Sequence, residues 1–283
     1  MPQRGSQSSF LMLSRRPTKP RKSGVTHVLD KGFSASRTLD ILDSAANFID
    51  VWKFGWGISY IDPALEVKLA RLKAAQIKSC TGGTLLEISW LQNKTKEFSD
   101  FAKQVGFDCV EISNGAVPMP ISEKRRLIQS ACDLGFEVMA EVGSKNARSQ
   151  MADDRWQKEV EGDLAAGACW IIIEGRESGT VGLYRSSGEV RWSLLRRLQR
   201  RFGGNKIIYE APQRGQQVSL IQRLGAEVNL GNIAIDEVLS LERDCSEFCV
   251  NVKTLDPSDH RSSAASSRPS KKMANCDRVR FQF

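Results

Sequence analysis

Short runs of apolar, β-branched residues recur along the chain at intervals of about 20 to 40 residues, too short for helices and bounded by turn-forming residues. They are "VTHVLD" (25–30), "FIDVWKFG" (48–55), "IKSCTGG" (77–83), "CVEIS" (109–113), "EVMAEVG" (137–143), "WIIIEG" (170–175), "KIIYEAP" (206–212) and "EVNLGN" (227–232). Between them the apolar positions change to a helical period. "SEKRRLIQSACDLGF" (122–136) puts Leu127, Ile128, Ala131 and Leu134 on one face, and 153–168 and 216–226 read the same way. Gly106, Gly135, Gly167 and Gly225 each close a helical stretch just before the next strand, as a helix C-terminus favours.

Strands alternating with helices imply parallel pairing through right-handed crossovers. Eight such units without a long insertion predict an α/β protein, a single closed (β/α)8 TIM-like barrel. The runner-up, a doubly wound open sheet, usually carries a Gly-rich turn after its first strand, and "DKGFSAS" has no G-x-G-x-x-G. Residues 17–250 are assigned to the barrel. Residues 1–16 form a loose basic arm, and the basic, Pro-rich character of the start extends to residue 24. Residues 251–283 are Ser-rich, nearly without bulky apolar side chains, and predicted to be disordered.

Charge changes the picture only at the ends. The formal net charge is +8, yet residues 1–24 carry six basic groups and no acidic ones, and residues 245–283 carry seven basic against four acidic. The span 25–244 holds 28 basic against 29 acidic residues, so no specific nucleic-acid partner is expected. No apolar stretch approaches the roughly 18 to 20 residues of a membrane span, and "SFLMLS" is too short for a signal-peptide core. The expected compartment is the cytoplasm, with no membrane partner. The seven cysteines are irregularly spaced, without a second Cys or His pair at zinc-site spacing, and read as reduced core residues. His27 reads as a strand residue.

In a barrel of this kind, chemistry sits at the C-terminal ends of the strands. Those ends supply Asp30 and Lys31, Lys53, Thr81, Glu111 with Ser113, Glu141, Glu174, Glu210, and Asn229 with Asn232. Four successive strands thus close with a glutamate. Alternation puts Glu174 on the face of Trp170 and Ile172, and Glu141 on that of Met139. If those faces point inward, the carboxylates converge on the mouth and repel one another unless a cation sits among them. A hard divalent ion, Mg2+, is the natural counter-charge. Lys53, in the apolar run "VWKFGWG", is expected beside Lys31 and facing that cluster, paired and able to give a proton. Anion recognition is expected from the loops after the last three strands. "EGRESGTVG" offers Arg176 and Ser178, "APQRGQQ" offers Arg214, and "NLGN" places Gly231 and Asn232 just ahead of a helix.

At these residues the chain resembles the phosphosulfolactate synthase family. The likeness runs through "KPRKSGVTHVLDKG", "IDVWKFGWGISYI", "CTGGTLLE", "VEISNGAVPMP", "EVGSK", "IIIEGRESG", "YEAPQRGQQ" and "NLGNIAIDEVLSLE", about residues 17 to 243. The resemblance implies a TIM-like barrel that adds sulfite to phosphoenolpyruvate with Mg2+, giving (2R)-phospho-3-sulfolactate, in methane-producing archaea the first step toward coenzyme M. Plant relatives include heat-stress-associated proteins. On this reading Glu141, Glu174 and Glu210, with Glu111 in reserve, hold the metal, directly or through its waters. Lys53 or Lys31 is the acid that protonates C2, beside Asp30, and Lys145 holds sulfite or the carboxylate. Arg176, Ser178, Arg214, Gly231 and Asn232 hold the phosphate. A homo-oligomer is compatible with this reading. Two others stay open: a barrel lyase, aldolase or isomerase acting on another small phosphorylated substrate, and a non-catalytic stress protein that retains the fold.

Overall fold

A computed structural model describes residues 16–143 and 153–248, the side chains of 153, 247 and 248 excepted. Eight parallel strands close into a barrel in sequence order: β1 (Thr26–Asp30), β2 (Val51–Phe54), β3 (Lys78–Thr81), β4 (Cys109–Ile112), β5 (Glu137–Val142), β6 (Trp170–Ile173), β7 (Ile207–Glu210) and β8 (Leu230–Ala234). The predicted (β/α)8 barrel is therefore the fold. The helices 121–133, 153–165 and 214–224 stand where the periodicity places them.

The side-chain alternation of each strand divides the core in two. Val25, Val51, Cys80, Cys109, Met139, Ile172 and Ile208 fill the barrel interior. The opposite faces (Val28, Trp52, Phe54, Val110, Ile112, Val138, Ile171, Ile173, Tyr209) pack against the helix layer. Burial pushes the thiols of Cys80 and Cys109 up, so both pack as neutral, small hydrophobes.

The last strand differs from expectation. It runs from Leu230 to Ala234, so Gly231 and Asn232 lie inside it rather than in a loop ahead of a helix. Its pairing with β1 is bulged: Thr26 aligns with Leu230, but Val28 aligns with Ile233.

The first described residues are also tighter than expected. Arg16 is buried and forms a 2.6 Å ion pair with Glu242. Lys19 donates to the carbonyls of Ala46 and Ala75 at 3.1 and 3.2 Å, and Arg21 pairs with Asp50 at 3.4 Å. Basic side chains here satisfy carbonyls left over at helix ends. Residues 1–15 and the tail 251–283 lie outside the described residues.

Candidate active site

Parity along the strands places four carboxylates and one ammonium at the mouth. Glu111, Glu141 and Glu210 are in phase with Cys109, Met139 and Ile208 of the interior, and Glu174 follows β6 in phase with Ile172. All four are buried, as is Lys53, in phase with Val51. Lys53 Nζ donates to Glu111 Oε2 at 2.9 Å and to Glu210 Oε1 at 3.2 Å. Burial disfavours its charge, but Glu111, Glu210 and Glu141 outweigh burial and hold the ammonium above its ordinary range. Lys53 is thus a firmly charged group.

The carboxylates are fixed from behind by main-chain amides. Gly83 N, at the start of the helix Gly83–Leu91, donates to Glu111 Oε1 at 2.8 Å. Gly175 N and Arg176 N donate to Glu210 Oε2 at 2.9 and 3.0 Å, and Arg176 N also reaches Glu174 Oε1. Arg176 adopts a left-handed φ of 58°, which turns these successive amides toward one point. Glu141, Glu174 and Glu210 each offer an oxygen lying within 4.8 Å of the others. Three buried oxygen donors at that spacing suit a hard divalent cation.

Other expected residues stand elsewhere. Asp30 is on the outer face of β1, where it accepts from the Gly32 and Phe33 amides, from Trp52 Nε1 at 3.1 Å and from Lys68 Nζ at 3.2 Å. It anchors the helix Leu65–Ala74 and does not face the carboxylates. Lys31 is partly exposed, pairs with Glu177 at 2.6 Å and lies 5.6 Å from the Trp56 ring centroid. It bridges the loops after β1 and β6 at the rim instead of sitting beside Lys53. Lys145 lies outside the described residues.

Arg176 and Ser178 are in the exposed loop after β6, and Ser178 Oγ contacts Thr180 Oγ1 at 2.8 Å. Arg214 turns outward to Asp244 of the helix Val238–Phe248, at 3.4 Å. Gly231 and Asn232, as strand residues, belong to the barrel wall.

Several supporting residues carry no clear mark in the sequence. Gln213 Nε2 holds the Ser178 carbonyl at 2.7 Å, and Gln216 Nε2 holds those of Gly179 and Gly188 at 2.7 and 3.1 Å. They fasten the loop after β6 to the start of the helix Arg214–Leu224, and only the spacing Gln213-x-x-Gln216, a capping box, hints at them. Glu87 accepts from Ser113 Oγ and from Ala116 N. Lys124 is fully buried and donates to the Glu141 carbonyl at 2.6 Å while pairing with Glu159 and Asp163. Helical spacing alone marks it in the sequence, since residue 124 falls on the face of Leu127, Ile128 and Ala131.

A closed barrel with a buried carboxylate–lysine cluster at the C-terminal mouth is the architecture of a barrel enzyme. The family model of (2R)-phospho-3-sulfolactate synthase (ComA) matches residues 14–244. Phosphosulfolactate synthase of Methanothermobacter thermautotrophicus is 40% identical over 233 residues, covering 80% of this chain and 90% of that protein. The phosphosulfolactate synthase of Bacillus subtilis is 38% identical, covering 82% and 93%. HEAT-STRESS-ASSOCIATED 32 of Arabidopsis thaliana is 24% identical over 92% of this chain and 96% of its own length. Among solved structures, 3-hexulose-6-phosphate synthase from Salmonella typhimurium superposes with a TM-score of 0.53 at 13% identity, covering 78% of this chain and 98% of that one, a likeness of fold. The chain belongs to the phosphosulfolactate synthase family. No described helix is long and apolar enough to cross a membrane.

Proposed function

We propose that this protein is a Mg2+-dependent phosphosulfolactate synthase, adding sulfite to phosphoenolpyruvate to give (2R)-phospho-3-sulfolactate. The observation that carries the reading is the convergence of Glu141, Glu174 and Glu210 beside the buried Lys53, in a chain of this family. The three glutamates are the residues that hold the metal, directly or through its waters. Bound there, Mg2+ supplies positive charge against the negative charge that develops on the substrate carboxylate.

In this reaction the sulfur lone pair of sulfite forms a bond to the methylene carbon of phosphoenolpyruvate. The π electrons of the double bond move onto the carboxylate, and a proton added to C2 completes the product. Lys53 fits two demands of that step. Its ammonium offsets the developing charge, and its proton is available to C2, with replacement from solvent. A weak acid suffices, because the aci-carboxylate is a strong base. Glu111 shares Lys53 with Glu210 and would keep the ammonium oriented were Glu210 to hold the metal. Burial of all five groups strengthens their electrostatic action on a bound substrate. Arg176 and Ser178, in the loop after β6, are the proposed phosphate contacts, with Lys31 as a further cation at the same rim.

The test is incubation of the purified protein with phosphoenolpyruvate, sulfite and Mg2+, followed by phosphorus NMR and mass spectrometry. A new phosphosulfolactate signal that requires all three components supports the reading. Absence of product with Mg2+, Mn2+ and Co2+ alike overturns it.

A further inference from the structure

One buried titratable side chain takes no part in the reaction just described. His27, on β1 in phase with Val25 of the interior, is completely buried, and neither ring nitrogen has a hydrogen-bond partner among the described residues. Packing alone favours an apolar residue at such a position, because an unsatisfied buried polar atom is destabilising.

The wall beside His27 is shaped around it. A side chain at Gly231 would place its Cβ 3.2 Å from His27 Nδ1 and 2.9 Å from Ile208 Cγ2, so glycine lets the ring and Ile208 pack directly against the β8 backbone. Gly231 is also the register partner of Glu210, the carboxylate that binds Lys53. The bulge in β8 falls at this point and sets Gly231 and Asn232 against the single residue His27. Asn232 takes a left-handed φ of 53°, and its Oδ1 is a second buried polar atom without a hydrogen-bond partner among the described residues. Bulges next to active sites commonly re-aim side chains in this way. Lys53 is close enough for its charge to act on the ring.

We propose that His27 is a substrate-contact residue at the floor of the mouth, its neutral imidazole donating a ring N–H to an anionic oxygen of bound phosphoenolpyruvate. The proposal rests on the function inferred above. Chemically the ring adds what the other mouth residues lack. Lys53 only donates and the ionised glutamates only accept, whereas a neutral imidazole donates at one nitrogen and accepts at the other.

The chain has two histidines, His27 and His260, so ring-nitrogen labelling gives a spectrum that a His260→Gln variant assigns. On wild-type protein, Mg2+ with phosphoenolpyruvate is expected to shift the His27 ring signals well beyond the effect of Mg2+ alone. Calorimetry on His27→Val is expected to show phosphoenolpyruvate affinity lowered by about ten- to a hundredfold with the melting temperature unchanged or raised, since valine removes two unsatisfied atoms. His27→Gln keeps a donor and is expected to recover part of the affinity. If wild type binds phosphoenolpyruvate, but His27→Val binds it equally and the ring signals stay still, the contact is refuted and the proposed function stands. If wild type neither binds nor converts phosphoenolpyruvate, both fall.

Discussion

Lys53 and Glu111 form a 2.9 Å ion pair at the barrel mouth, and the second oxygen of that carboxylate is held by the Gly83 amide at 2.8 Å. The pair is buried and shared with Glu210, so its members depend on one another. Removing one partner of a buried pair costs about 3–5 kcal/mol, because the other charge is left uncompensated. Lys53→Met is expected to lower unfolding free energy by that order in a denaturant titration. Adding Glu111→Gln should restore part of the loss, and strictly additive effects would show that the two are not coupled.

Lys53→Arg separates charge from proton delivery. The guanidinium keeps a cation near the glutamates but does not release a proton near neutral pH. Turnover should fall by about 10²- to 10⁴-fold, with phosphoenolpyruvate and Mg2+ still bound. Wild-type turnover in this variant would remove Lys53 from the role of acid.

The three glutamates should differ from one another in metal-free protein. Glu210 hydrogen-bonds Lys53 and the Gly175 and Arg176 amides, so Glu210→Gln should destabilise most, while Glu141→Gln removes one of the charges that hold the Lys53 ammonium. In wild type, Mg2+ at a hundred times its dissociation constant should add about 2.7 kcal/mol to unfolding free energy. Thermal melts with and without Mg2+ read this directly, and an undiminished Mg2+ effect in Glu141→Gln, Glu174→Gln and Glu210→Gln alike would contradict the site.

Acid stability should report His27. The imidazole titrates near 6.5 in an unfolded chain, by reference values, and burial with the Lys53 charge keeps it neutral well below that pH in the fold. The unfolded state therefore binds the extra proton. The stabilisation is fully present above about pH 6.5 and declines as pH falls, approaching about 1.4 kcal/mol per pH unit. The difference between wild type and His27→Val, measured by denaturation from pH 7.5 to 5, should show this slope. Parallel curves would mean that the ring protonates freely in the folded protein.

Two glycines allow a test of steric support. A Cβ at Gly83 would lie 2.2 Å from Ser113 Oγ and 3.1 Å from Glu111 Oε1. Gly83→Ala should cost about 1–3 kcal/mol by overpacking, and it should depress activity by moving Glu111. Gly106 has a φ of 86° and open space where a methyl would stand, with no atom within 4 Å. Gly106→Ala should therefore cost about 1–2 kcal/mol from backbone strain alone, with activity retained. Equal activity in the two variants would exclude the steric route to Glu111.

The architecture is legible because parallel strands buried on both faces stand out as short apolar runs, and four of them close on a glutamate. The same double burial hides the inner face of β1. With Thr26, His27, Val28, Leu29 and Asp30 all buried, no polar face shows that Asp30 points outward and His27 inward. Lys53 is readable because alternation within β2 joins it to Val51, an interior residue. The eighth apolar run, 227–232, begins and ends earlier than the strand Leu230–Ala234, so Gly231 and Asn232 sit inside that strand at a bulge that the sequence pattern does not show. The outward turn of Arg214 depends on Asp244, 30 residues away, and the buried role of Lys124 on two residues of another helix. Such partners become visible only once the helices are packed.

The ties of Arg16 to Glu242, and of the Gly24 amide to the Glu227 carbonyl, join the two ends of the barrel sequence across the β1–β8 seam. That seam unites residues more than 200 positions apart, so it cannot form on a ribosome-bound chain until β8 and the helix that follows have emerged. Until then β1 presents an unpaired edge to its surroundings. β1 therefore waits for its second neighbour longer than any other strand, and the bulged wall beside His27 is completed only with that last pairing.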